Sequence, residues 1–150
     1  MIGAPRILEC TPHNTAVIRE RVPAQELSRF VPAACGEVWS FLKAAGIQGG
    51  CHIAVYVDSS GMVEVGAEVS EPFEGNGRIH CSSLPGGRVV TVTHFGPYGG
   101  LGAAHDAIRA SLAEQGREPG IFWEIYGHWE EGWNSDPTKI RTDVFYLLEG

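Results

Sequence analysis

The stretch VVTVTHFGPYGGLGAAHDAI, residues 89–108, predicts a strand, a turn and a helix in immediate succession. Residues 88–95 are rich in β-branched side chains, and the glycines and proline of residues 96–100 end that strand. Apolar residues then recur at helical spacing with polar residues between them, which predicts a helix over 101–115 that stops at Gly116. Its apolar stripe consists of Leu101, Ala104, Ile108 and Leu112. A helix with one apolar face must cover a sheet or another helix.

The rest of the chain repeats these elements. A first helix is predicted from Phe30 to Ala45, with Pro32 in its first turn and Gly46 at its stop. Strands are predicted in four pairs: 6–10 with 15–22, 52–58 with 62–69 around the SSG turn, 78–83 with 88–95 around LPGG, and 121–129 with 140–148. The first pair fits either an edge hairpin or one bulged strand. The last pair is joined by a polar loop over 130–139.

The two halves of the chain overlay loosely as a pseudo-repeat. WSFLKAAG falls on RASLAEQG and HIAVYV on FWEIYG, so that Tyr56 lies opposite Tyr126 and Ala54 opposite Glu124. We therefore expect one α+β domain over residues 1–150, built from duplicated β-α-β-β-type halves. Two helices should lie on one side of an antiparallel sheet, with a ligand groove at the junction.

Composition limits the kinds of partner. The net charge is −7 and no basic run occurs, which argues against direct binding of nucleic acid and favours a neutral or cationic ligand. No apolar run is long enough for a membrane span and no leader is apparent, so we expect a cytoplasmic protein. The four cysteines and six histidines lack the spacing of ligand sets, and GPYGGLG lacks the lysine of a phosphate-binding loop. No metal or other cofactor is expected.

One carboxylate stands inside an otherwise apolar and aromatic strand, in GIFWEIYGHWEEGW, residues 120–133. Burial of an unpaired carboxylate is costly, so Glu124 needs either a permanent partner such as Arg88 or Arg141, or a ligand that visits it. Strand alternation predicts the residues on each face. One face should carry Phe122, Glu124, Tyr126 and His128, and the other Trp123, Ile125 and Trp129.

An acid walled by aromatic rings suits a flat cationic or polar aromatic ligand, because ring faces attract cations and apolar area favours binding. The predicted ligand-binding residues are Tyr56, Phe95, Trp123, Glu124, Tyr126 and Tyr146. The structural alternative is that these aromatics are ordinary core residues. Trp133, predicted to be exposed in the loop, is a further candidate for covering a ligand or a partner.

Four segments resemble the GyrI-like small-molecule-binding domains, which also form the effector-binding part of many AraC-type and MerR-type regulators. VVTVTHFGPYGGLGAAHDAI is similar to the family's strand and helix start, LAEQGREPG to its helix end, WEIY to its acid-bearing strand and RTDVFYLL to its closing strand. The resemblance implies a stand-alone module that binds drugs or toxins.

The resemblance leaves three functions open. The first is a binding module for amphipathic, often cationic, small molecules. The second is a hydrolase that opens the cyclopropane of DNA-alkylating natural products, in which WEIY would supply Glu124 as the base and Tyr126 or Tyr56 as a proton partner. The third is a gyrase-inhibitor-like module that binds a protein partner. The sequence does not separate the three.

Overall fold

The fold is described from a computed structural model over residues 2–58, 60–128 and 130–148. These residues form eight strands and three α-helices. The strands are β1 Arg6–Cys10, β2 His13–Arg21, β3 Gly49–Tyr56, β4 Met62–Val69, β5 Ile79–Leu84, β6 Gly87–Phe95, β7 Phe122–Tyr126 and β8 Arg141–Leu147. The helices are α1 Leu27–Ala45, α2 Leu101–Glu114 and the single turn α3 Gly132–Ser135. The predicted α+β class is confirmed.

The chain divides into two compact units, the first comprising residues 1–10 and 87–150 and the second residues 11–86. In the first unit the strand order is β1-β6-β8-β7, and every pair is antiparallel. In the second unit the order is β5-β2-β4-β3, again antiparallel. Each unit contains a β-α-β-β segment in which the last strand lies between the other two, so the predicted duplication is confirmed.

The predicted apolar stripe of α2 is the one that the structure buries. In α2 the buried residues are Leu101, Ala104, Ile108 and Leu112, and the helix packs against β6 and β8. In α1 they are Ala34, Val38 and Leu42, and that helix packs against β2, β3 and β4. Gly46 ends α1 at a φ of 72°, a left-handed conformation that glycine adopts without strain.

Three details of the predicted elements are wrong. Helix α1 begins at Leu27, so that Pro32 lies inside it. Proline removes one hydrogen bond to the carbonyl four residues earlier, which is here in the exposed first turn, where water can replace the bond. Strand β7 ends at Tyr126, which leaves His128 exposed beyond it. The segment predicted as a polar loop over 130–139 contains two helical turns, α3 and the 3-10 turn Pro137–Lys139.

Two of the predicted strand pairs are also wrong. Strand β1 pairs with β6, whereas β2 pairs with β4 and β5. Strand β5 does not pair with β6, because the two strands belong to different units. The hairpin of β3 and β4 and the pair of β7 and β8 are confirmed. Ser59 in the predicted SSG turn and Trp129 lie outside the described residues.

No helix in the described part of the chain is both long and apolar enough to cross a membrane. The predicted single domain and the predicted groove at the junction of the halves stay predictions.

Candidate functional site

Glu124 lies near the middle of β7, and its residue is only 6% exposed. The strand alternation is as predicted. Glu124 is paired in register with Val144 of β8, and Phe122 with Tyr146, so these four side chains share one face of the sheet. The same face carries the core on which α2 packs, which includes Val144, Tyr146, Ile108 and, at its edge, Phe122. The acid is therefore built into the interface between α2 and its sheet.

Both oxygens of Glu124 accept short hydrogen bonds. The Tyr126 hydroxyl donates to Oε1 at 2.5 Å. His105, on α2, places Nε2 2.6 Å from Oε2, and its Nδ1 lies 2.7 Å from the Tyr146 hydroxyl oxygen. Burial raises the pKa of Tyr146 to about 12, so this phenol keeps its proton and can donate it to Nδ1. His105 then carries its proton on Nε2 and donates to the carboxylate.

No arginine or lysine lies within ion-pair distance of Glu124 among the described residues; its partner there is His105. The expected partners lie elsewhere: Arg141 pairs with Asp143 at 3.3 Å, and Arg88 forms no ion pair within the described ranges. An imidazole and a phenol thus hold the acid, and no permanently charged side chain pairs with it in the described part of the chain.

The other buried glutamate, Glu64 in the second unit, provides a contrast. It is 8% exposed, and its Oε2 lies 2.9 Å from Nη1 of Arg19. Its Oε1 accepts a hydrogen bond from Ser82 at 2.8 Å. Glu64 is thereby neutralised by a permanent cation, whereas Glu124 is not. The difference marks Glu124 as the acid whose charge needs a functional explanation.

Aromatic rings surround the acid. Phe122 and Tyr146 stack with their centroids 4.6 Å apart, and His105 meets both rings edge-on. Tyr98 contacts Tyr126 edge-on at 5.6 Å. Arg109 of α2 places its guanidinium 5.8 Å from the centroid of Phe122, so this ring face already attracts one cation.

Trp123 and Phe95, two of the predicted site residues, are not brought to Glu124, whereas the place of Tyr56 at the site stays a prediction. Trp123 points to the opposite face, is 2% exposed and stacks on Phe145 at 5.5 Å. Phe95 lies at the end of β6, 39% exposed, beside a cavity described below. Tyr56 is half-buried at the end of β3 in the second unit.

Trp133 is buried rather than exposed, at 6%. A Cβ on Gly127 would lie only 3.1 Å from the indole, so the missing side chain there provides the space that this ring occupies. Trp133 is therefore part of the core and does not cover a ligand from solvent.

His105 and Arg109 were not predicted from the sequence. His105 follows Leu101 by four residues and precedes Ile108 by three, so it borders the apolar stripe of α2 and faces the sheet. A polar residue at the border of a buried stripe is the signal that could have identified it. No cluster of three or more His, Cys, Asp or Glu side chains that could hold a metal occurs in the part of the chain that the structure describes.

The chain is similar to one protein family and to several solved structures. The family described as "GyrI-like small molecule binding domain" matches residues 3–146. No curated protein matches the sequence. The C-terminal domain of EcmrR superposes with a TM-score of 0.78 at 22% identity, covering 97% of this chain and 96% of that one. In the complex of EcmrR with DNA, the matched part is 56% of the EcmrR chain.

Two more distant structures share the fold. SAV2435 bound to tetraphenylphosphonium has a TM-score of 0.66 at 9% identity, over 99% of this chain and 95% of that one. A hydrolase encoded by lin2189 from Listeria innocua has a TM-score of 0.56 at 10% identity, over 95% and 90%. At such identities the likeness concerns the fold alone. Because one relative is seen with DNA, the expected lack of nucleic-acid binding stays a prediction.

Proposed function

The chain belongs to the GyrI-like small-molecule-binding domain family, and we propose that it binds cationic, aromatic or amphipathic small molecules at Glu124. The observation that supports this most is a 6% exposed carboxylate held by His105 and Tyr126, with no arginine or lysine at ion-pair distance among the described residues. A ligand cation supplies the missing positive charge.

The rings beside the acid suit the apolar part of such a ligand. Tyr126 and Phe122 flank Glu124 on β7, and Tyr98 extends the aromatic surface from Tyr126. Ring faces attract a delocalised cation and their area is removed from water on binding. The ligand seen in SAV2435, tetraphenylphosphonium, has this combination of central positive charge and aromatic surface. Of the six predicted ligand-binding residues, we retain Glu124 and Tyr126 as ligand contacts and Tyr146, which is 0% exposed, through its hydrogen bond to His105. Tyr56, in the second unit, stays a prediction.

The proposal is tested by comparing tetraphenylphosphonium with triphenylphosphine oxide, a neutral molecule with similar rings. We expect the cation to bind the wild-type protein more tightly by about 1–3 kcal/mol, the range of a charge-assisted contact. Isothermal titration calorimetry measures both affinities. Equal affinities would contradict charge recognition, and no binding of either would contradict the site.

Arg109 provides a second prediction, because its guanidinium covers Phe122 and Tyr146 and repels a second cation. The substitution Arg109→Gln removes this positive charge from the ring faces. Because Arg109 is exposed, the fold should tolerate the change. We expect tetraphenylphosphonium to bind about 0.3–1 kcal/mol more tightly, the scale of one screened surface charge. Arg88→Gln, at another exposed arginine of the same unit, is the control and should leave the affinity nearly unchanged. Weaker binding by Arg109→Gln would mean that Arg109 helps to hold the ligand.

The second candidate function is hydrolysis of a strained cyclopropane, and the hydrogen-bonded series Tyr146–His105–Glu124–Tyr126 favours it. In such a step, the water oxygen bonds to a ring carbon while Glu124 accepts the water proton. The ring C–C bond breaks, its electron pair passes to a conjugated carbonyl of the substrate, and Tyr126 donates a proton there. His105 would orient the carboxylate toward the water. The gyrase-inhibitor-like alternative has no such supporting observation and stays a prediction.

A further inference from the structure

A cavity lies in the first unit, at the turn between β6 and α2. It has a volume of about 860 Å³, within the range of ligand sites. Its walls are mostly apolar, and its polar side chains are His94, Thr138 and Lys139. The other lining residues are Ile2, Phe95, Gly96, Pro97, Gly100 and Ala103. Neither Glu124 nor its hydrogen-bond partners belong to this lining.

His94 is the most deeply buried of the polar residues that line the cavity, and its residue is only 4% exposed. Its Nδ1 is sealed from solvent without a hydrogen-bond partner among the described residues. A proton on Nδ1 would therefore be a buried, unpaired donor, which is unfavourable. The neutral ring is consequently expected to carry its proton on Nε2. Burial also lowers the pKa of His94, which favours this neutral form.

Two glycines of the GPYGG turn leave the Nε2 edge of the ring uncovered. A Cβ on Gly100 would lie 3.1 Å from Nε2, and a Cβ on Gly96 would lie 3.5 Å from Cε1. The turn that starts α2 thus exposes one imidazole N–H donor to the cavity. The glycine-rich motif therefore has a role besides reversing the chain.

Lys139 supplies positive charge at the same cavity. It belongs to the 3-10 turn Pro137–Lys139, which Asp136 stabilises by accepting a hydrogen bond from the backbone N–H of Thr138 at 3.2 Å. The Asp136 carboxylate also accepts from the Thr138 hydroxyl at 2.5 Å, so it is directed at the turn. The lining thereby combines an imidazole and a lysine side chain with apolar walls.

We propose that this cavity binds amphipathic carboxylates, with the carboxylate on His94 Nε2 and Lys139 and the apolar body against Phe95, Pro97 and Ile2. The net charge of −7 predicted neutral or cationic ligands for the whole chain. Asp136 lies close enough to Lys139 to interact with its charge, but Lys139 lines the cavity and Asp136 does not. Screening in physiological salt, with a Debye length of about 8 Å, weakens the effect of more distant acids. The cavity and the Glu124 site therefore select ligands of opposite charge.

The test compares 2-naphthoate with the neutral 2-naphthamide by isothermal titration calorimetry. We expect the acid to bind about fivefold more tightly, the scale of one partly exposed ion pair. Lys139→Gln should abolish this preference, whereas the matched control Lys43→Gln, at the other lysine of the chain, should retain it. Equal binding of acid and amide by the wild type, no binding, or the same effect of both lysine variants would overturn the proposal.

Two further variants separate this cavity from the Glu124 site. Gly100→Ala covers Nε2 in a helical backbone conformation that alanine adopts readily, so it should weaken 2-naphthoate binding and leave tetraphenylphosphonium binding unchanged. Glu124→Gln should leave 2-naphthoate binding unchanged. Loss of 2-naphthoate binding in Glu124→Gln but not in Gly100→Ala would overturn the assignment. When 2-naphthoate binds, the nitrogen-15 NMR signals of the His94 ring should still be those of an imidazole that carries its proton on Nε2.

Discussion

Glu124→Gln is expected to weaken the binding of tetraphenylphosphonium by about 1–3 kcal/mol, which is about 5- to 150-fold in affinity. The amide keeps the shape of the side chain, and its oxygen can still accept the Tyr126 hydrogen bond. The substitution removes the negative charge that attracts a ligand cation in this largely buried site. Triphenylphosphine oxide should bind the variant and the wild type almost equally.

Glu64→Gln is the matched control, since it removes the charge of the other buried glutamate from a different unit. Its Arg19 partner has a side chain that is 50% exposed and can be solvated, so the protein should remain folded. Tetraphenylphosphonium should bind this variant as it binds the wild type. If Glu124→Gln lost the cation and the neutral molecule to the same extent, the role of Glu124 would be in packing.

The local elements could be predicted because each depends on short-range periodicity. The stripe of Leu101, Ala104, Ile108 and Leu112 and the alternation of Phe122, Glu124 and Tyr126 are both present in the structure. Strand partners could not be predicted in the same way. A turn signal shows where the chain changes direction but not which strand pairs with which, so LPGG separates two strands that belong to different units.

The acid of the candidate site could be predicted from the sequence, but its partners could not. A carboxylate within a buried strand is conspicuous, whereas His105 is nineteen positions away on another element. Only the register of α2 on its sheet brings the two together. Arginines were the expected partners because they form the strongest ion pairs with carboxylates. In the structure an arginine, Arg19, pairs with Glu64, whereas a histidine, His105, lies beside Glu124.

The burial of aromatic residues was the least predictable feature. Trp123 and Trp133 are both in the core, although one was expected to contact a ligand and the other to be exposed. An aromatic ring contributes a large apolar area wherever it is placed, so sequence alone does not distinguish a core ring from a binding ring. The distinction requires neighbours such as Phe145 for Trp123 and Gly127 for Trp133.

A cyclopropane-bearing alkylator should distinguish a hydrolase from a binding module. If Glu124 acts as a general base, the wild type will turn over many equivalents, and Glu124→Gln will reduce turnover by about 100-fold or more, because an amide accepts no proton from water. The variant should keep most of its affinity for this neutral substrate. Product analysis by mass spectrometry, with the addition of one water per substrate, measures the reaction.

The hydrogen-bond partners of Glu124 make the same experiment more specific. Tyr126→Phe removes the donor to Oε1 and should slow turnover by a smaller factor, about tenfold, since the base itself remains. Glu64→Gln should leave turnover unchanged.

If the protein only binds the alkylator, wild type and variants will all leave it intact, and protection of DNA will require stoichiometric protein. Binding needs only the acid and its aromatic neighbours, whereas catalysis also needs a water held against Glu124. Each carboxylate oxygen of Glu124 accepts one hydrogen bond, from Tyr126 or His105, and has a second lone pair to which a water can donate. Multiple turnovers that are lost in Glu124→Gln would therefore establish that Glu124 acts as the base.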